Sequence, residues 1–263
     1  PAVHYTMGGL WVDYEKGHEG ALDLDSPRNQ MTNIPGLYAA GEADYQYHGA
    51  NRLGANALLS CLTGGELTAQ GILAYLKNLS GSAESSTLEE ARKEREAEYQ
   101  SYKRSNGSEN CYQVHADLAD VMWNNCGIWR TQKDLLAAKD KLNELAARSQ
   151  NCNLIDDSPW TNQAVPFARA LKHMIEASKA IVGGAIIRDE SRGAHFKMDT
   201  PNRDDEKWLV TTKATWQPEG PQFDLKEKID CCYIAPRPRK YKINQNAVVK
   251  TIMGEEALAG VGQ

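Results

Sequence analysis

The run His48-Gly49-Ala50-Asn51-Arg52-Leu53-Gly54-Ala55-Asn56-Ala57-Leu58-Leu59 holds the residue types best suited to chemistry. The Arg52 guanidinium offers a planar fork to a carboxylate, and His48 can add a charge-assisted hydrogen bond. The small residues Gly54-Ala55-Asn56 then open a helix whose first amides and positive dipole end would face an anion. This is a cradle for an anionic substrate beside a cofactor resting on a helix start. A second element, His4-Tyr5-Thr6-Met7-Gly8-Gly9, brings another histidine into the same glycine-rich region. Alone, each histidine reads better as a satisfied structural residue. Two histidine elements grouped with one arginine favour binding.

Glu42 follows Gly41 at the end of the apolar run Leu37-Tyr38-Ala39-Ala40. A carboxylate in that position grips a ribose or ribityl hydroxyl, or else caps whatever follows; the local sequence supports both equally. If the anion at the helix start is the pyrimidine edge of a reduced flavin, the Ala57 and Leu58 amides would stabilise its negative charge. Glu190-Ser191-Arg192-Gly193-Ala194-His195 lacks any nucleophile elbow, so it reads as a salt-bridged turn locking a helical region to a sheet region. No G-x-G-x-x-G occurs, so a dinucleotide-binding protein with this sequence would be missing its front half. The chain opens almost directly on the His4 element, which suggests the back part of a longer protein.

Three stretches must position these groups. Residues 1–79 alternate short apolar runs with turns. Gly9–Tyr14 and Leu37–Glu42 read as strands, the second fed by the turn Asn33-Ile34-Pro35-Gly36. From Asn56 the apolar spacing turns helical through Leu58, Leu59, Leu62, Leu67, Ile72, Leu73 and Leu76, with Gly64-Gly65 as a close packing contact. In residues 80–187, Ser80–Ser86 is a linker, and Ser86 or Thr87 with Glu90 can cap a charged helix. Three amphipathic helices follow, marked by Val114, Leu118, Val121, Met122 and Ile128, by Leu135, Leu136, Leu142 and Leu145, and by Val165–Val182. Helices of this kind with short connections make an antiparallel bundle, with Trp123, Trp129 and Trp160 as core or interface anchors. Residues 188–263 contain a β-hairpin, Trp208–Trp216 and Gln222–Glu227 around Pro218-Glu219-Gly220-Pro221, and a basic tail with Arg237, Arg239, Lys240 and Lys242. The fold class is therefore mixed α+β.

A net charge of -5 argues against a nucleic-acid partner, which a basic face would attract. No run reaches about 18 consecutive apolar residues, and Pro1-Ala2-Val3-His4 does not read as a secretory signal. Six cysteines, two of them the adjacent Cys231 and Cys232, show no C-x-x-C spacing. They read as reduced thiols in a reducing compartment, and no metal site is expected.

His4–Gly9, Pro35–Glu42, His48–Leu59, and Glu190–His195 followed by Arg203-Asp204-Asp205-Glu206-Lys207-Trp208 occur in an order that resembles the flavoprotein subunit of succinate dehydrogenase or fumarate reductase. Gly9-Leu10-Trp11-Val12-Asp13-Tyr14 is similar to the subunits paired with a dihaem cytochrome b anchor. The resemblance implies that residues 1–79 are the tail of an FAD- and substrate-binding α/β domain. In that reading His4 and Arg52 bind a carboxylate of succinate or fumarate. Glu42 holds the FAD ribityl chain, and Asn56, Ala57 and Leu58 line the flavin's pyrimidine edge. A hydride passes between dicarboxylate and flavin, and electrons continue to an iron–sulfur subunit. The protein would sit at the cytoplasmic face of the inner membrane through that subunit and the cytochrome b anchor.

The family's glycine-rich motif, flavin-attaching histidine, capping domain and proton-shuttling arginine lie upstream of anything in this sequence. No catalytic residue is therefore assigned, and the isolated chain is expected to be inactive. L-aspartate oxidase is a rival. It usually has a cysteine where Met7 stands and lacks the Arg203–Trp208 run with its hairpin. A further alternative is a non-catalytic module whose helical bundle docks an iron–sulfur subunit.

Overall fold

A computed structural model of the chain describes residues 4–45, 47–156, 158 and 160–228. They are mixed α and β, rich in helix, with two small sheets. By contact they divide into two compact units. Of the described residues, the first holds those from 4 to 83 together with 192–194; the second holds those from 84 to 191 and from 195 to 228. Cys231, Cys232 and the basic tail lie outside the described residues.

The first unit is one long helix, α1 (Asn56–Asn78), and a set of loops. The strands expected at 9–14 and 37–42 are not formed. Only isolated bridges occur, Leu10 to Asp44 and Met31 to Tyr38 among them. Single backbone hydrogen bonds, such as Asp13 N–H to the Met31 carbonyl and Ala39 N–H to the Gln30 carbonyl, stand in for the ladder, and side chains add to them. The buried Gln30 amide donates to the Ala39 carbonyl at 3.1 Å and to Asp44 Oδ2 at 3.0 Å. The buried Asn29 amide joins the Asp23 carbonyl (2.6 Å) to the Glu15 N–H (3.0 Å). Arg28 pairs with Asp13 and Glu15 across the same loops. Backbone groups that a sheet would pair are thereby satisfied one at a time.

Helix α1 buries a face other than the one its apolar spacing suggests. Leu58, Leu59, Leu62, Leu73 and Leu76 are exposed, while Ser60, Gly64 and Gly71 are buried. The reason is close approach. A Cβ on Gly71 would lie 2.8 Å from the Asn29 carbonyl oxygen, and one on Gly64 would lie 3.3 Å from the Ala40 Cβ. The bare face lets the 27–41 loop run directly along the helix, and Tyr38 hydrogen-bonds the Pro27 and Gly71 carbonyls there. Gly65 meets nothing, so only Gly64 of the expected glycine pair is a packing contact.

The second unit contains α2 (Ser85–Lys103), α3 (Cys111–Cys126), α4 (Gln132–Gln150), α5 (Ala164–Ile187) and the short α6 (Asp205–Trp208). Strands β1 (Glu109–Asn110) and β2 (Cys152–Asn153) pair in parallel. Strands β3 (Val210–Thr215) and β4 (Gln222–Lys228) form the expected antiparallel hairpin, with a bulge between Val210 and Thr212.

Helix α4 packs on both α3 and α5. The core is Val114 and Leu118, then Leu135, Ala138, Leu142 and Leu145, then Val165, Ala168, Leu171, Ile175 and Val182. Ile128 and Leu136 lie outside it, exposed. Asn110 and Thr131 cap α3 and α4 through side-chain oxygens. The cap expected from Ser86 or Thr87 is not used: α2 starts two to three residues earlier, at Ser85, with no side-chain cap. Trp123, Trp129 and Trp160 are exposed rather than core; Trp208 is the buried one.

A buried ionic turn closes α5. Arg188 donates to Glu190 (2.6 Å), to the Trp208 and Val210 carbonyls (2.9 and 2.7 Å) and to Thr212 (3.0 Å). The fully buried Glu190 also accepts the Asp204 amide at 3.0 Å. These hydrogen bonds offset the desolvation of the pair and tie α5 to α6 and β3. Lys197, equally buried, donates to Asp189 and to the Ile186 carbonyl.

His195 sits among these cations. Its Nε2–H donates to the Arg188 carbonyl (3.2 Å), and Nδ1 accepts from Arg130 (2.9 Å). Burial, with Arg130 next in effect, pushes its pKa from 6.5 down to about 4. Between those values the unfolded chain binds a proton that the folded one refuses. Stability is therefore full above pH 6.5 and falls as pH drops toward 4, by about 3 kcal/mol at most. Urea unfolding measured across that range should show this slope, and His195→Gln should flatten it. An unchanged slope in the variant would contradict the assignment.

Candidate functional site

The site is built where the first unit's loops meet the start of α1. Ala55 takes a left-handed conformation (φ 69°) and turns the loop into the helix without a side-chain cap. The Asn56 amide reaches the Leu53 carbonyl at 3.2 Å. The amides of Ala57 and Leu58 thus begin the helix with no side-chain acceptor. The Leu58 side chain is exposed, so its part in any site is its amide.

One turn into the helix, the buried Ser60 organises the neighbouring side chains. Its hydroxyl donates to the Ala57 carbonyl at 2.8 Å. With that proton committed, Ser60 Oγ can only accept, from His48 Nε2–H at 3.1 Å and from the Tyr5 hydroxyl at 3.4 Å. His48 is thereby held in the tautomer that leaves Nδ1 as an acceptor.

The Tyr5 ring stands edge-on to His48, centroids 5.0 Å apart, and the Arg52 guanidinium lies 5.0 Å from the Tyr5 centroid. That cation–π contact holds the guanidinium while leaving its N–H fork open. Among the described residues Arg52 has no carboxylate partner, and its backbone N–H donates to Met7 Sδ at 3.1 Å.

The first element is fastened alongside. Thr6 N–H donates to Glu42 Oε1 at 2.8 Å, and Leu10 N–H to the Ala43 carbonyl at 2.7 Å. Glu42 lies within a 3₁₀ turn, Gly41–Ala43, and keeps its second carboxylate oxygen without a partner among the described residues. His4 is exposed, and among the described residues its ring makes no hydrogen bond.

The structure thus joins the elements carrying His4, Glu42, Arg52 and Asn56–Leu58. Tyr5 and Ser60 do the joining and were not singled out from sequence. Ser60 had a readable signal: it stands four residues after Asn56, on the same helix face.

Among the described residues, an open guanidinium, a half-engaged carboxylate and an uncapped helix start are groups that could hold an anion and a hydroxyl-bearing cofactor. Residues 1–58 match the FAD binding domain family, and residues 115–241 match the family described as fumarate reductase flavoprotein C-term. The chain is 42% identical to the succinate dehydrogenase flavoprotein subunit of Bacillus subtilis (strain 168) over 246 residues, covering 92% of this chain and 39% of that one. It is 32% identical to the fumarate reductase flavoprotein subunit of Haemophilus influenzae over 265 residues, covering 98% and 39%. Its fold is similar to a chain of Escherichia coli quinol fumarate reductase, with a TM-score of 0.78 at 28% identity over 89% of this chain and 38% of that one. The chain belongs to the family of succinate dehydrogenase and fumarate reductase flavoprotein subunits, and it spans about two fifths of the length of these relatives.

Ser60→Ala would leave the His48 and Tyr5 donors without their shared acceptor. Chemical denaturation should register a loss of about 1 kcal/mol from the first unit. An unchanged midpoint would mean that Ser60 does not organise the cluster.

Proposed function

We propose that this chain supplies the carboxylate clamp and the flavin-facing helix start of a flavoprotein that interconverts succinate and fumarate. The observation that carries this reading is the Arg52 guanidinium, open among the described residues and backed by Tyr5 beside the uncapped start of α1. A planar cation of this kind recognises a carboxylate in two-point fashion. His4, exposed in the neighbouring element, adds a second donor to the substrate carboxylate.

The donor set also fits FAD. The Ala57 and Leu58 amides, with Asn56 beside them, would face the electron-rich pyrimidine edge, and the free oxygen of Glu42 would accept a ribityl hydroxyl proton. When bound, the flavin supplies hydride acceptance and donation. The helix start favours negative charge on the ring edge, while Arg52 orients the dicarboxylate. No residue of this chain is assigned to move the proton.

The partners proposed are an iron–sulfur subunit and a cytochrome b anchor of the dihaem type, at the cytoplasmic face of the inner membrane. Among the described residues no helix is long and apolar enough to cross a membrane, so attachment would be peripheral. The exposed Trp123, Trp129 and Trp160 of the second unit are side chains suited to a protein interface, which also supports a docking role for the bundle.

In the full-length flavoprotein, Arg52→Lys keeps the charge and loses the fork. It should lower kcat/KM for succinate at least about tenfold while flavin content stays the same. Unchanged kcat/KM would overturn the clamp assignment, and aspartate turnover in place of succinate would favour the oxidase reading. The 263-residue chain alone is proposed to be inactive. A flavin band with succinate-dependent dye reduction in the purified chain would refute that.

A further inference from the structure

Three attachments fix the loop that carries Arg52, and two were described above: His48 on Ser60 and the Arg52 amide on Met7. The third comes from a distant part of the sequence. Ala194 N–H donates to the Ala50 carbonyl at 2.8 Å, two residues before Arg52. Gly193 makes the approach possible. It takes φ +60°, and a Cβ there would lie 2.3 Å from the Ala50 oxygen and 2.5 Å from its carbonyl carbon. Any side chain at 193 must push the Ala50 peptide away, and with it the backbone leading into Arg52. Residues 192–194 belong by contact to the first unit, although both flanks belong to the second.

We infer that the Gly193-Ala194 turn is a positioning element for the Arg52 clamp, holding the Ala50 carbonyl so that the guanidinium is presented at its working place over Tyr5. The inference rests on the reading of Arg52 as a carboxylate ligand. Gly193 and Ala194 act through the loop and touch no substrate.

The test uses the full-length, flavin-loaded protein and succinate as the probe. Dissociation constants are read from the flavin's absorbance change, alongside KM and kcat. Gly193→Ala should weaken succinate binding about tenfold, chiefly in Kd and KM, with the flavin retained. Ala194→Pro removes the donor and sets its ring Cδ against the Ala50 oxygen that the N–H met, so it should act in the same direction; it serves as the readout if Gly193→Ala does not retain flavin. Gly220→Ala, a positive-φ glycine in the hairpin turn with open space around it, should leave binding unchanged.

The deciding measurement is the double variant. On an Arg52→Lys background, Gly193→Ala should cost little more, because the group it positions is already gone. A full additional loss there would show a general structural role and overturn the proposal, as would wild-type affinity in both turn variants. If Arg52→Lys itself leaves succinate affinity unchanged, the clamp reading fails first and the positioning role fails with it. That outcome is distinct from an intact clamp indifferent to the turn.

Discussion

The bare face of α1 is the constraint on which the first unit depends. Ser60, Gly64 and Gly71 line one side of the helix, and none extends beyond a hydroxyl. Backbone can therefore lie directly on the helix, which brings the 27–41 loop and the turn bearing Glu42 into register with it. At the N-terminal end of the same face, Ser60 replaces bulk with an acceptor and gathers Tyr5 and His48. A leucine at any of the three positions would separate what the site needs joined. Helix burial here is decided by how near backbone must come, not by where apolar area is greatest.

The second unit works by the opposite rule. Its helices meet through large apolar side chains from α3, α4 and α5, and its buried charged groups come in paired sets. Arg188 with Glu190, and Lys197 with Asp189, each have their charges answered by a partner and by backbone carbonyls or amides. His195 stays neutral because burial, and next to it the charge of Arg130, disfavours its protonated form. Ionic groups at these depths lose more from a missing partner than they gain from their own attraction, so the set is preserved or lost together.

That contrast explains what was legible in the sequence. Helices α3 to α5 could be read because burial follows period 3.6 when the partner is another helix, and Leu135, Leu142 and Leu145 lie where the spacing puts them. The hairpin could be read because its alternation is bounded by two prolines and a glycine. Strands at 9–14 and 37–42 were over-read. Short apolar runs look alike whether a continuous ladder or scattered bonds satisfy them, and here single backbone bonds, with the Gln30 amide on Ala39, do so. Of the site, the arginine, the histidines, Glu42 and the helix start carry chemistry in their residue types. Tyr5 and Ser60 act by contact, and contact is a property of the fold. The Glu190–His195 run was legible as a salt-bridged turn through Glu190; nothing local points from Gly193 to Ala50.

That last contact sets an order of events during synthesis. Ala50 leaves the ribosome long before Ala194, with the whole of α2 to α5 made in between. The helical unit is dominated by contacts between neighbouring helices, which close short loops and form early. The hydrogen bond to the Ala50 carbonyl must wait until α2 to α5 have been made. The loop carrying Arg52 is therefore completed late, and an unfinished chain has its helical bundle before it has its clamp.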